Sequence, residues 1–71
     1  MTIYIVRNSE YDENLKAFTS YQEAVQFILD DSKDYEQTLN EKERQEWRQS
    51  IIENDNEFFN IETLTLEIGA E

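Results

Sequence analysis

Cysteine, histidine and proline are all absent from this 71-residue chain, and its one glycine is Gly69, near the end. Each absence removes a class of function. Without cysteine no disulfide can staple so short a chain, and without Cys or His there is no cluster for structural zinc. The same two absences take away the usual general base and the most reactive nucleophile. A single glycine at the tail cannot build a Gly-rich loop that cradles phosphate. Apolar runs reach only a few residues, far short of the roughly 20 that a membrane-spanning helix needs. The opening Met1 to Arg7 lacks the basic start and extended apolar stretch of a secretory signal, so a cytoplasmic protein is expected.

Basic residues are scarce as well. Six Lys and Arg stand against seventeen Asp and Glu, a net charge of −11, where about 2–8 units is usual for a small domain. Such an excess repels phosphate backbones and anionic membranes and attracts basic grooves. The expected partner is therefore a basic protein surface, with no direct binding of nucleic acid and no membrane. Hydrophobic residues at 38% and aromatics at 13% are too many for a disordered acidic tail. One folded domain over 1–71 follows. A chain of this size buries only about 60% of its unfolded surface, so apolar packing must carry its stability.

The order of elements reads β-β-α-α-β. Thr2 to Arg7 is rich in β-branched and aromatic residues and predicts a central strand, with Ile3 and Ile5 on one side and Tyr4 and Val6 on the other. A polar loop then leads to a short strand around Leu15 to Phe18. Ser20-Tyr21-Gln22-Glu23 has the form of a capping box, and Tyr21, Ala24, Val25 and Ile28 follow at helical spacing. Asp30 to Asp34 reads as a charged break or an exposed continuation of that helix. Asn40 with Glu43 caps a second helix, expected over Glu41 to Asn54 and anchored by Trp47 and Ile51. Phe58 to Ile68 reads as a closing strand with Leu64, Leu66 and Ile68 on its buried face. Phe59 and Ile61 fall in the opposite phase, which predicts a bulge or bend near Glu62. The fold class is α+β, a small three-stranded antiparallel sheet with helices on one face. Tyr4 or Val6 on the uncovered side would be available for dimerisation or partner binding.

No constellation supports catalysis. Ser20 is a helix cap, and nothing suggests an activating partner for Ser9, Ser32 or Ser50. The clusters Asp30, Asp31, Asp34 and Asp55, Glu57 lack the spacing and the glycine of a calcium loop. No metal site and no cofactor are expected. Lys42, Arg44 and Arg48 stand at helical spacing from Glu41, Glu43 and Glu46 and read as ordinary surface pairs. What remains is the arrangement of acids, since residues 49–71 hold six of them and no basic residue. Rows of carboxylates on strands and helices repeat on the scale of phosphates along DNA. Candidate partner-binding residues are Glu10, Asp12 and Glu13 in the first loop, with Tyr11 as an aromatic anchor. Asp30, Asp31, Asp34 and Glu36 follow the first helix, and Glu53, Asp55 and Glu57 precede the last strand.

The small size, acidic excess and missing cysteines, with the strand Thr2–Arg7 followed by Ala17-Phe18-Thr19-Ser20-Tyr21-Gln22-Glu23-Ala24, resemble small phage-encoded inhibitors. These include anti-CRISPR and anti-restriction proteins that imitate DNA. The resemblance is one of character over the whole chain and carries no site residues with it. It implies a non-catalytic inhibitor that occupies the basic groove of a nucleic-acid-binding enzyme such as a CRISPR nuclease, in the bacterial cytoplasm. The alternative is a small adaptor or regulator docking through an apolar patch of Trp47, Ile51 and Ile52.

Overall fold

A computed structural model of the chain describes residues 1–9 and 13–66, without the side chains of Glu13 and Asn14. Strands β1 (Thr2–Asn8), β2 (Glu13–Phe18) and β3 (Phe59–Thr65) form an antiparallel sheet in the order β2-β1-β3. Between β2 and β3 run the helices α1 (Tyr21–Asp31), α2 (Lys33–Glu36) and α3 (Glu41–Ile52). This is the α+β arrangement that the sequence predicts.

Local chemistry accounts for the helix starts. Ser20 accepts from the Glu23 backbone N–H at 3.4 Å and opens α1. Asn40 and Glu43 form a complete capping box on α3, with bonds of 2.8 and 3.1 Å in the two directions. The charged stretch Asp30 to Asp34 continues the helical path and is exposed at every residue but one. Ser32 turns inward, donates to the Ile28 carbonyl at 2.8 Å, and starts the single turn of α2.

Pairing with β3 decides which side of β1 is buried. Val6 stands opposite Ile61 and Asn8 opposite Phe59, so these residues share a face. Val6, Ile61 and Phe59 are buried there with Ala24, Val25 and Ile28 of α1 and Ile51 of α3. Fully burying an aliphatic side chain of this size contributes about 1.5–3 kcal/mol, and Val6, Ile28 and Ile51 are the largest so placed. Tyr4 packs edge-on against Tyr21 at 5.6 Å between ring centroids, and Phe18 lies 5.5 Å from Phe27.

Three expectations change as a result. Tyr4 and Val6 belong to the helix-covered face, and it is Ile3 and Ile5 that lie on the open one. The buried residues of β3 are Phe59 and Ile61, whereas Leu64 and Leu66 are 45% and 39% exposed. No bulge occurs at Glu62, because β1 and β3 pair without a shift from Thr2–Thr65 to Asn8–Phe59. The irregularity lies in β2, where Val6 pairs with Lys16 and Arg7 with Asn14, leaving Leu15 as the extra residue. Ile68 falls outside the described residues.

α3 ends at Ile52, where its apolar pattern stops and two residues short of the expected Asn54, which takes a left-handed φ of 58°. Its side-chain amide then does what a neighbouring strand would do. Nδ2 donates to the Ile61 carbonyl at 3.0 Å, and Oδ1 accepts from the Ile61 N–H at 2.8 Å. Part of the outer edge of β3 is thereby covered by a side chain.

Candidate functional site

Trp47 stands at the centre of an aromatic ledge built by three separate segments. Its indole N–H donates to the buried Ser32 hydroxyl at 3.1 Å, which ties α3 to the α1–α2 junction. Tyr35 of α2 lies 4.8 Å from it between ring centroids, Phe58 lies 6.2 Å away, and Phe59 meets it edge-on at 6.3 Å. Tyr35 and Phe58 remain 47% and 37% exposed, so the ledge presents aromatic surface to solvent.

The segment carrying Phe58 is held by polar side chains rather than by helix or strand. Asn56 Oδ1 accepts from the N–H groups of Phe58 and Phe59 at 2.9 and 3.0 Å, and its Nδ2 donates to Ser50 Oγ at 2.9 Å. Ser50 in turn donates to the Trp47 carbonyl at 2.7 Å. Ser9 closes the other side, its N–H donating to the Phe58 carbonyl at 2.7 Å and its hydroxyl to the Glu57 carbonyl at 2.6 Å. A ledge fixed at this many points presents its rings without a large ordering cost on binding.

Two shallow clefts share Tyr35, Trp47 and Phe58. One, about 280 Å³, is completed by Asn8, Asp31, Ser32 and Phe59. The other, about 320 Å³, adds Leu39, Glu43, Glu46, Ser50, Asp55, Asn56 and Glu57. The ledge is thus rimmed by Asp31, Glu43, Glu46, Asp55 and Glu57, and no Lys or Arg lines either cleft. Carboxylates around exposed aromatic rings can accept ammonium and guanidinium groups, with the ring faces adding cation–π attraction.

Of the acids expected to bind a partner, the fold brings Asp31, Asp55 and Glu57 to this rim. Asp30 points elsewhere, accepting from Gln26 Nε2 at 3.0 Å beside a cleft that also holds Lys33 and Arg48. Glu53 is exposed and accepts from Gln49 at 2.8 Å, and Asp34 is exposed on α2 and lines neither ledge cleft. Glu10, Tyr11, Asp12 and the side chain of Glu13 lie outside the described residues.

Glu36 does not fit the expectation. It is 6% exposed, and Arg48 grips both carboxylate oxygens, Nε at 2.9 Å from Oε1 and Nη2 at 3.2 Å from Oε2. The hydrogen bond and the charge of Glu36 hold the Arg48 guanidinium above its ordinary pKa. A buried, neutralised carboxylate cannot stand in for a phosphate. Arg44 likewise serves the fold, donating to the carbonyls of Glu36 and Leu39 at 3.3 and 3.1 Å.

Both arginines are therefore spent on α2 and the turn that follows it, and not on the glutamates of their own helix. That leaves Glu43 and Glu46 on the rim as residues that the pairing scheme read as ordinary surface. A trace of them is visible in the spacing, since Glu43, Trp47 and Ser50 recur at i, i+4 and i+7 on one side of α3.

No helix among the described residues is long and apolar enough to cross a membrane. No three carboxylates among them converge to hold a metal ion. No family model, no curated protein and no solved structure matches this chain.

Proposed function

We propose that this chain is a non-catalytic acidic binding protein that lays the Trp47 ledge into the basic groove of a nucleic-acid-binding enzyme. It acts there as a DNA-mimic inhibitor, of the kind represented by anti-CRISPR proteins, in the bacterial cytoplasm. The observation that carries this reading is the ring of Asp31, Glu43, Glu46, Asp55 and Glu57 around exposed aromatic rings, with no cation among the lining residues. Carboxylates take the places of phosphates at Lys and Arg clusters, and the rings supply the anchoring contacts that dominate interface energy.

A second reading is an adaptor that docks through the apolar part of the same ledge. The exposure of Tyr35 and Phe58 favours it. Ile51 has no place in that patch, being fully buried, and Ile52 lines a separate cleft with Tyr21 and Val25.

Salt separates the two. Displacement of labelled duplex DNA from a candidate nuclease, followed as ionic strength rises, should lose affinity steeply for a mimic and stay nearly flat for an apolar dock. Asp55→Lys combined with Glu57→Lys should weaken displacement at least about tenfold, the scale expected of desolvated interface charges. Glu23→Lys, on the first turn of α1, should leave it unchanged. Equal displacement by the reversed and unaltered proteins would refute the mimic.

A further inference from the structure

The two clefts of the ledge differ in what surrounds them. The larger has four carboxylates at its edge, Glu43, Glu46, Asp55 and Glu57. The smaller, about 280 Å³, has four rings for one carboxylate: Tyr35, Trp47, Phe58 and Phe59 with Asp31. Elsewhere several acids already have partners, since Arg48 holds Glu36, Arg7 holds Glu62, and Gln26 donates to Asp30. The Asp31 carboxylate accepts no hydrogen bond and joins no ion pair among the described residues. Ser32 beside it is fully engaged, accepting from the Trp47 indole and donating to the Ile28 carbonyl. Asp31 is thus the group in this cleft that can meet an incoming donor.

We infer that the smaller cleft receives one arginine side chain of a basic partner protein. The inference rests on the ledge being the docking surface, as proposed above, and names the group it takes. The fold holds an example of rings attracting a cation. Lys16 Nζ lies 5.5 and 5.8 Å from the ring centroids of Phe18 and Phe27, which are tilted by 49° and 5.5 Å apart. Tyr35 and Trp47 form a similar notch, 4.8 Å apart and tilted by 55°, and no Lys or Arg lines their cleft.

Size and hydration select arginine. A cleft at the bottom of the roughly 300–1,000 Å³ range of small-molecule sites takes a side chain rather than a cofactor. Lys16 is exposed, so its ammonium keeps its water above the rings. Within a cleft walled by four rings an ammonium, compact and strongly hydrated, sheds water for a single carboxylate. A guanidinium is weakly hydrated, lays its plane on a ring and keeps its edge N–H groups for Asp31. The neighbouring cleft does the complementary task. Its four acids draw in a basic surface without distinguishing one cation from another.

Titration of the full chain with acetyl-Gly-Arg-Gly-amide and with its lysine counterpart tests this, followed by two-dimensional NMR at about 0.15 M salt. Both peptides carry the same charge, so general attraction to an acidic chain cancels in their ratio. The arginine peptide should bind more tightly by about two- to fivefold, the size of one exposed cation–π contact. The largest shift should fall on the Trp47 indole N–H. Asp31→Asn should weaken the arginine peptide by a similar factor, as loss of an exposed ion pair does. Asp34→Asn, outside the cleft, should leave it unchanged. Tyr35→Leu keeps apolar surface but loses a ring face, and should narrow the gap between the two peptides. All three positions are exposed, and circular dichroism should find each variant folded. Equal or tighter binding of the lysine peptide or of tetramethylammonium would overturn the inference. So would an arginine preference untouched by Tyr35→Leu, or an Asp34→Asn variant as impaired as Asp31→Asn. The inhibitor reading is judged separately. Displacement of duplex DNA from a nuclease while the two peptides bind alike would refute the arginine site alone, and an arginine preference without displacement would refute the inhibitor alone.

Discussion

Asn54 is the residue whose replacement tests the fold most directly. Two independent contributions meet there: a left-handed backbone and a side chain bonded to both polar groups of Ile61. Each neutral hydrogen bond is worth about 0.5–1.5 kcal/mol net. Asn54→Gly keeps the backbone at ease and loses both bonds, so it should cost about 1–3 kcal/mol. Asn54→Ala loses the same bonds but keeps the Cβ that glycine removes, without the polar side chain that eases asparagine in the left-handed region, so it should fall about 1–2 kcal/mol below the glycine variant. Asn54→Asp keeps the acceptor for the Ile61 N–H but turns an oxygen toward the Ile61 carbonyl, and should fall below Asn. A domain of 71 residues has a total stability of about 4–11 kcal/mol, taking 0.05–0.15 per residue. The alanine variant therefore spends a large share of it, and each 1 kcal/mol lowers the melting temperature by about 4–8 °C. Urea titration followed by circular dichroism gives the ranking. Alanine as stable as glycine would refute the steric contribution, and a glycine variant as stable as the natural protein would refute the bonds to Ile61.

Three further outcomes follow from the same geometry. Arg48→Ala strands the buried carboxylate of Glu36 and should lower the melting temperature more than Glu36→Gln, which still offers an oxygen to Arg48; the reverse order in thermal melts would contradict the assigned pair. Ile51→Ala should cost about 2–5 kcal/mol by urea titration, since Ile51 joins α3 to the core, and a loss below about 1 kcal/mol would mean the helix is held elsewhere. Burial raises the pKa of Tyr21 above its ordinary 10.0, and the neutral phenol donates to the Ile52 carbonyl at 2.8 Å. Its contribution is thus fully present below pH 10 and lost as pH climbs through the folded-state value, so the stability gap to Tyr21→Phe should close in that alkaline range. A gap that widened there would reverse the sign.

The parts of this fold that sequence alone reveals are those decided locally. Ser20 and Asn40 each carry their cap within three residues, and α1 writes its apolar stripe in its own spacing. The face of β1 is different, because Ile3 and Ile5 are as apolar as Tyr4 and Val6 and alternation cannot choose between them. The choice is made by Phe59 and Ile61, which are in register with Val6 and lie under the helices. Leu64 and Leu66 alternate as a buried row would, yet nothing among the described residues covers them. Glu36 was hidden for a related reason, since its partner is twelve residues away on another helix. At the ledge, the acids before β3 were legible as a chain reversal without cations. That Tyr35, Trp47 and Phe58 meet there depends on Ser32 and Asn56, whose small polar side chains announce nothing at a distance.

The indole at position 47 is also the only one in the chain. Ultraviolet emission from this protein therefore comes chiefly from a single ring wedged between Tyr35 and Phe58. Anything that settles over that spot and dries it must shift or quench the signal, while events on the far side of the sheet should leave the spectrum still. The molecule carries its own lamp, and it is lit at the one place where a visitor would cast a shadow.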